Sequence, residues 1–208
     1  MAMLVILYFF SGNLNFFSKN KTLKVLAYVW IVQNTFLVFS VLIRDYHYIN
    51  LSGLTYKRIG VLVFSLLCCI GLLTVYLKVA KQKTLFYLFK TNGDIWYALL
   101  ILAGFVNWDV YIVDYNLSKR STAHLDVTYL MNLSDKTLPQ LIENKELLKA
   151  SIIDTTKIKD QIQQSLQIKF EQDLKNKAER FVIDKENRSW LSWNYPDWQT
   201  AQFLNEQK

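Results

Sequence analysis

Apolar residues fill the first half of this chain in long unbroken blocks and thin in the second half to single positions about four apart. A transmembrane helix needs roughly 20 apolar residues to cross about 30 Å of hydrocarbon. Residues 23–43 (LKVLAYVWIVQNTFLVFSVLI) and 59–80 (IGVLVFSLLCCIGLLTVYLKVA) meet that length, with Lys24, Arg44, Lys57, Arg58, Lys78, Lys81 and Lys83 at or near their ends. A third block begins at Ile95 and stays purely apolar only to Val106. That span must therefore continue through residues 107–115 (NWDVYIVDY) or start upstream in the LFYLF stretch. Residues 1–10 are apolar but too short to cross, and they lack the basic region and cleavage site of a signal peptide. They resemble the end of a helix whose beginning is missing; the alternative is a re-entrant or interfacial segment.

The second half predicts helices of another kind. No glycine follows Gly104, and only Pro139 and Pro196 interrupt the tail, so tight hairpin turns are disfavoured. Thr137 with Gln140 predicts a capping box with Pro139 tolerated in the first turn, and Asp154 is a candidate cap for the helix after it. From Ile158 the apolar positions run Ile162, Leu166, Phe170, Leu174, Ala178 and Val182. Steps of four drift about 40° each against 3.6 residues per turn, which predicts a helix that wraps its partner or bends. The fold class is all-α. A transmembrane bundle of three full spans plus a clipped N-terminal apolar segment occupies residues 1–118, and a helical polar tail occupies residues 119–208.

Charge adds a topology. Ten Lys and Arg residues precede Lys119 against four Asp, whereas the tail is nearly balanced. The excess base borders the apolar blocks, where orientation signals and anionic-lipid contacts belong. No basic stripe marks the tail, so nucleic acid is not an expected partner. By parity, the loops around residues 11–22 and 81–94 lie on one side with Lys19, Lys21, Lys24, Lys78, Lys81, Lys83 and Lys90. Arg44, Lys57, Arg58, Lys119 and Arg120 lie on the other. The positive-inside rule puts the first group in the cytoplasm and the tail on the opposite, extracytoplasmic face of a membrane that the chain crosses several times. The Tyr-rich loop 44–58 then shares the tail's face. It reads either as an aromatic belt or as a binding site, and the same choice applies to Phe86–Tyr97 on the opposite side.

Few residues carry candidate chemistry. Gln33 and Asn34 sit at the middle of a span, where amides bond neighbouring helices or line a path. Asp109, next to Asn107, lies about 21 Å along a helix counted from Ile95, and a bare carboxylate at that depth is costly. It wants a basic partner, Arg58 or Arg44, or a proton. The first reading is structural, and the second makes it a proton or cation site. Cys68 and Cys69 point about 100° apart on a helix and suit packing; with only His47 and His124 besides, no metal set of usual spacing exists. The aromatic end, with Trp190, Trp193, Tyr195, Trp198 and Phe203, predicts docking onto the tail or lipid headgroups, or a protein-binding patch.

Five stretches read together as a family pattern: RDYHYI (44–49), GLTYKRIGV (53–61), LFYLFKTNG (85–93), NWDVYIVDY (107–115) and DVTYLMNLSDKTLPQL (126–141). They resemble the carboxy-terminal part of a bacterial membrane family known as domain of unknown function 4173. Asp94 departs from it, since an aromatic or apolar residue is more typical there. The resemblance implies a multi-span protein with helices upstream of this chain, and it brings no activity, cofactor or catalytic residues. No serine–histidine–acid set, phosphate loop or zinc motif is present either. Internal repeats typical of transporters are also missing. The sequence thus favours a non-enzymatic envelope module whose tail binds a partner or senses the envelope. Part of a transporter is the alternative, and a membrane-embedded enzyme comes last.

Overall fold

The computed structural model describes residues 21–119, 125–155 and 160–206. The apolar segment 1–10, Lys19, Arg120, His124 and Ile158 lie outside the described residues, as does the side chain of Ile162. Every regular element among the described residues is helical: α1 (Lys21–Ser52), α2 (Tyr56–Ala80), α3 (Leu85–Phe105), α4 (Trp108–Ser118), α5 (Val127–Met131), α6 (Leu138–Glu143), α7 (Lys145–Thr155), α8 (Asp160–Asn187) and α9 (Tyr195–Glu206). Short 3-10 turns at Asp135–Thr137 and Trp190–Ser192 join some of them. Contacts divide the chain into two compact units. One comprises α1 as far as His47 together with Lys57–Val106; the other comprises Tyr48–Tyr56 together with Asn107–Lys208.

In the first unit, α1 and α2 are each long and apolar enough to cross a membrane. Helix α1 runs nine residues past the predicted end of its span, because residues 44–52 hold no helix breaker and the helix stops only at Gly53. The predicted loop 44–58 is therefore mostly helix. Gly53 takes φ +78°, and its N–H bonds the Ile49 carbonyl at 2.9 Å, a left-handed helix end that favours glycine. The third span starts upstream, at Leu85, where the Thr84 hydroxyl accepts the Tyr87 N–H. It does not run on through NWDVYIVDY, since Val106 is extended and Asn107 is non-helical before α4 begins. A third span requires α3 and α4 together.

Ala27 packs on Val79, and Ile31 on Val75 and Leu88, fastening the start of α1, the end of α2 and the start of α3. Large apolar side chains such as Val29, Val32, Phe36 and Phe64 stay on the outside. Apolar surface of this extent suits lipid, where a helix needs no water because its backbone groups bond within the helix.

The second unit is built on α8. Its buried positions are Phe170, Leu174, Lys177 and Phe181, a four-three-four spacing that gives a straight stripe. The predicted drift does not materialise because Ala178 and Val182 are only half-buried and Lys177 fills the missing register. Helix α9 packs on α6 and on the Asp135–Thr137 turn, and these in turn pack on α4. The expected capping box is absent. Thr137 is already helical because the 3-10 turn runs into α6, and its hydroxyl donates to the Ser134 carbonyl at 2.9 Å. Pro139 does sit in the first turn of α6. Asp154 falls inside α7 and does not begin the next helix.

Candidate functional site

The first candidate is a clasp that holds the segment after α1 against α4. Asn116, in the last turn of α4, is buried. Its Oδ1 accepts the Leu54 N–H at 2.6 Å and its Nδ2 donates to the Leu54 carbonyl at 2.9 Å. The turn at Gly53 brings Leu54 there, and a Cβ at residue 53 would lie 2.5 Å from the Asn116 oxygen. Next to this, the Tyr56 N–H donates to the Tyr129 hydroxyl at 3.0 Å, and the Tyr56 hydroxyl donates to Asp109 Oδ1 at 2.8 Å. Tyr129 is fixed by α5, whose N-cap Asp126 accepts its N–H at 2.9 Å. Asp109 stands in the first turn of α4, where helix dipoles favour a carboxylate. Asn107 occupies the N-cap position of that helix without a side-chain capping bond.

Gln33 and Asn34 are not gathered there. Gln33 is exposed on α1, and Asn34 donates to the Trp30 carbonyl of its own helix at 2.8 Å. Arg44 is exposed, and the charge of Arg58 acts on Asp45, a buried carboxylate that sequence reasoning passed over. An amide that joins two apolar helices is Asn92 of α3, whose Nδ2 reaches the Thr74 hydroxyl of α2 at 3.0 Å. One turn on, Lys78 is only 1% exposed, and its Nζ has no hydrogen-bond partner among the described residues. Neither was singled out, because Asn92 reads as a loop residue and Lys78 as a terminal flank.

The second candidate is a groove of about 600 Å³ between the start of α5 and α8, with Ile152 of α7. Val127, Leu166, Met131 and Phe170 give it apolar surface, and Asp126, Asp173, Lys169 and Arg180 bring exposed charges of both signs. Lys177 closes part of it from within: its ammonium donates to the carbonyls of Met131 at 2.9 Å and Leu133 at 2.6 Å, and Asp135 lies 4.0 Å away. The cation thus caps the carbonyl end of α5. Burial pulls Lys177 below the ordinary lysine range, against the opposing effect of Asp135 and Asp109. On the outside of α8, Glu171 bonds both Lys145 and Lys149, which ties α7 to α8. Its bonds to Glu171 and Glu146 hold the Lys149 ammonium above the ordinary range, and Lys149 holds Glu171 below its own. The predicted aromatic interface is largely exposed: Trp190 is 83% and Trp193 66% accessible, Tyr195 also lies outside, and Trp198 is partly covered. The chain end docks through Thr200 and Ala201 and not through these rings.

Apolar helices fit to cross a bilayer, followed by a packed helical unit rich in charge, define an all-helical integral membrane protein. Within that class the chain belongs to the family described as Domain of unknown function (DUF4153), which matches residues 1–144. The resemblance drawn from the sequence was to the family numbered 4173; the match supports a domain family without assigned activity, under the number 4153. No curated protein and no solved structure matches the chain.

Proposed function

We propose that the protein is a non-enzymatic, multi-pass module of the bacterial inner membrane whose tail holds a partner protein on the extracytoplasmic face. The groove along α8 carries this reading. It has the size of a ligand site, and its apolar lining edged by both signs of charge suits a peptide segment with apolar anchors and charged flanks. The clasp at Asn116 holds the segment between α1 and α2 on the same unit as the groove. The sidedness rests on the lysines of the opposite loops. A photo-crosslinking residue at Asn132, in the full-length protein in native membranes, should give one discrete adduct. Combined reversal of Asp173 and Arg180 should abolish it while leaving the protein folded. An adduct insensitive to both charges, or none at all, contradicts the proposal.

The buried Lys78 beside Thr74 and Asn92 favours a second reading, part of a transporter, because an intramembrane ionisable group points to a path. That path would run between α2 and α3 and not past Gln33.

A further inference from the structure

The aromatic turn between α8 and α9 is a built structure with its side chains turned outward. Ser192 donates its N–H (3.0 Å) and its hydroxyl (2.7 Å) to the Ser189 carbonyl, and the Trp193 N–H reaches the Trp190 carbonyl at 3.2 Å. Asn194 caps α9: its Oδ1 accepts the Asp197 N–H at 3.0 Å and its carbonyl accepts the Trp198 N–H at 3.1 Å. Arg188 closes the turn onto Asp197 at 2.7 Å. The result presents Trp190, Leu191, Trp193 and Tyr195, each more than half exposed, from a frame fixed at both ends.

Three observations say what covers this patch. Residues 189–196 carry no charged side chain, and the flanking Arg188 and Asp197 neutralise each other. The backbone donors of Leu191, Ser192 and Trp193 are satisfied within the turn, so leaving bulk water strands none of these three. The turn also belongs to the unit that holds Tyr48–Tyr56 and α4, the segments that follow α1 and α3 along the chain. Helix α4 itself displays an aromatic ladder, with Trp108 edge-on to Tyr111 and Tyr111 beside Tyr115. Tryptophan and tyrosine favour the headgroup layer because an apolar ring and a polar tip are both accommodated there.

We propose that residues 189–196 insert Trp190, Leu191 and Trp193 into the headgroup layer of the membrane that the chain spans, making the tail's end a lipid-bound anchor. This contact is separate from the groove and does not depend on it. It gives the end of the tail a lipid contact of its own.

The test uses the full-length protein in nanodiscs of mixed phosphatidylethanolamine and phosphatidylglycerol. With Cys68 and Cys69 replaced by serine, a spin label is placed at Leu191→Cys and, as a water-exposed reference, at Glu179→Cys. The label at 191 should collide several-fold more with oxygen, relative to a polar nickel chelate, than the label at 179. Nickel access equal to that at 179 overturns the proposal, and so does exclusion of both colliders, which would mean that a protein surface covers the turn. Brominated lipids give a second reading free of labels: quenching of tryptophan by bromine near the headgroups should fall in Trp190→Phe/Trp193→Phe. Unchanged quenching overturns the proposal.

Discussion

The side-chain amide of Asn116 bonds both backbone polar groups of Leu54, 62 residues earlier in the chain. A single residue thereby satisfies the buried peptide groups of the segment that leaves α1. Asn116→Ala strands one donor and one acceptor at about 1–3 kcal/mol each, so a loss of about 2–4 kcal/mol is expected. Asn116→Asp keeps the acceptor and should lose less. Gly53→Ala should also destabilise, because φ +78° disfavours a side chain and its Cβ would press on the Asn116 oxygen. Thermal denaturation of the detergent-purified protein measures all three.

Tyr56 and Asp109 share one hydrogen bond, so their substitutions should not add. Tyr56→Phe combined with Asp109→Asn is expected to cost about 1 kcal/mol less than the sum of the single changes. Strict additivity in the same thermal assay would remove the pair from the clasp.

Lys78 is an expense that the fold carries. A buried ammonium with no hydrogen-bond partner among the described residues destabilises, and methionine fills nearly the same volume without the charge. Lys78→Met should raise the detergent melting temperature, by an amount equivalent to about 1–3 kcal/mol. An unchanged or lower melting temperature would mean that the ammonium has an unrecognised favourable contact.

Lys177 should make the tail's stability depend on pH in the alkaline range. Burial depresses its folded value below the 10.5 of a free lysine, so between the two values the unfolded chain binds more protons. Stability attributable to this group therefore rises with pH as 10.5 is approached from below. Lys177→Met strands the Met131 and Leu133 carbonyls and should cost about 2–4 kcal/mol. The loss relative to the wild type should grow as pH rises through that window. Hydrogen exchange of α5 and α8 peptides reads the unit without interference from the membrane helices.

The helical class and the two long spans were legible because an unbroken apolar run of that length has few other solutions. The rest was hidden for physical reasons. Residues 44–52 are polar yet carry no breaker, so hydropathy ends the helix at Ile43 while the backbone continues to Gly53. The break at Asn107 uses no glycine or proline, and sequence reasoning therefore measured the depth of Asp109 along a helix that stops at Phe105. On α8 the apolar letters suggested a drifting stripe, since nothing in a lysine's chemistry announces that its stem will fill a core register. Asn116, Tyr129 and Asn92 gave no signal because each acts through a partner far away in sequence or on another helix. Of the familiar stretches, GLTYKRIGV, NWDVYIVDY and DVTYLMNLSDKTLPQL contain Leu54, Tyr56, Asp109 and Tyr129 of the clasp, but not the contacts between them.

The segment after α1 and the tail belong to one compact unit, which must then lie on one side of the membrane. Single cysteines at Ser52, Lys175 and Lys81, in a background without Cys68 and Cys69, should be probed in intact cells with an impermeant thiol reagent. Labelling at 52 and 175 together, with 81 protected, is the predicted result. Labelling of 52 without 175, or of 175 without 52, would contradict it.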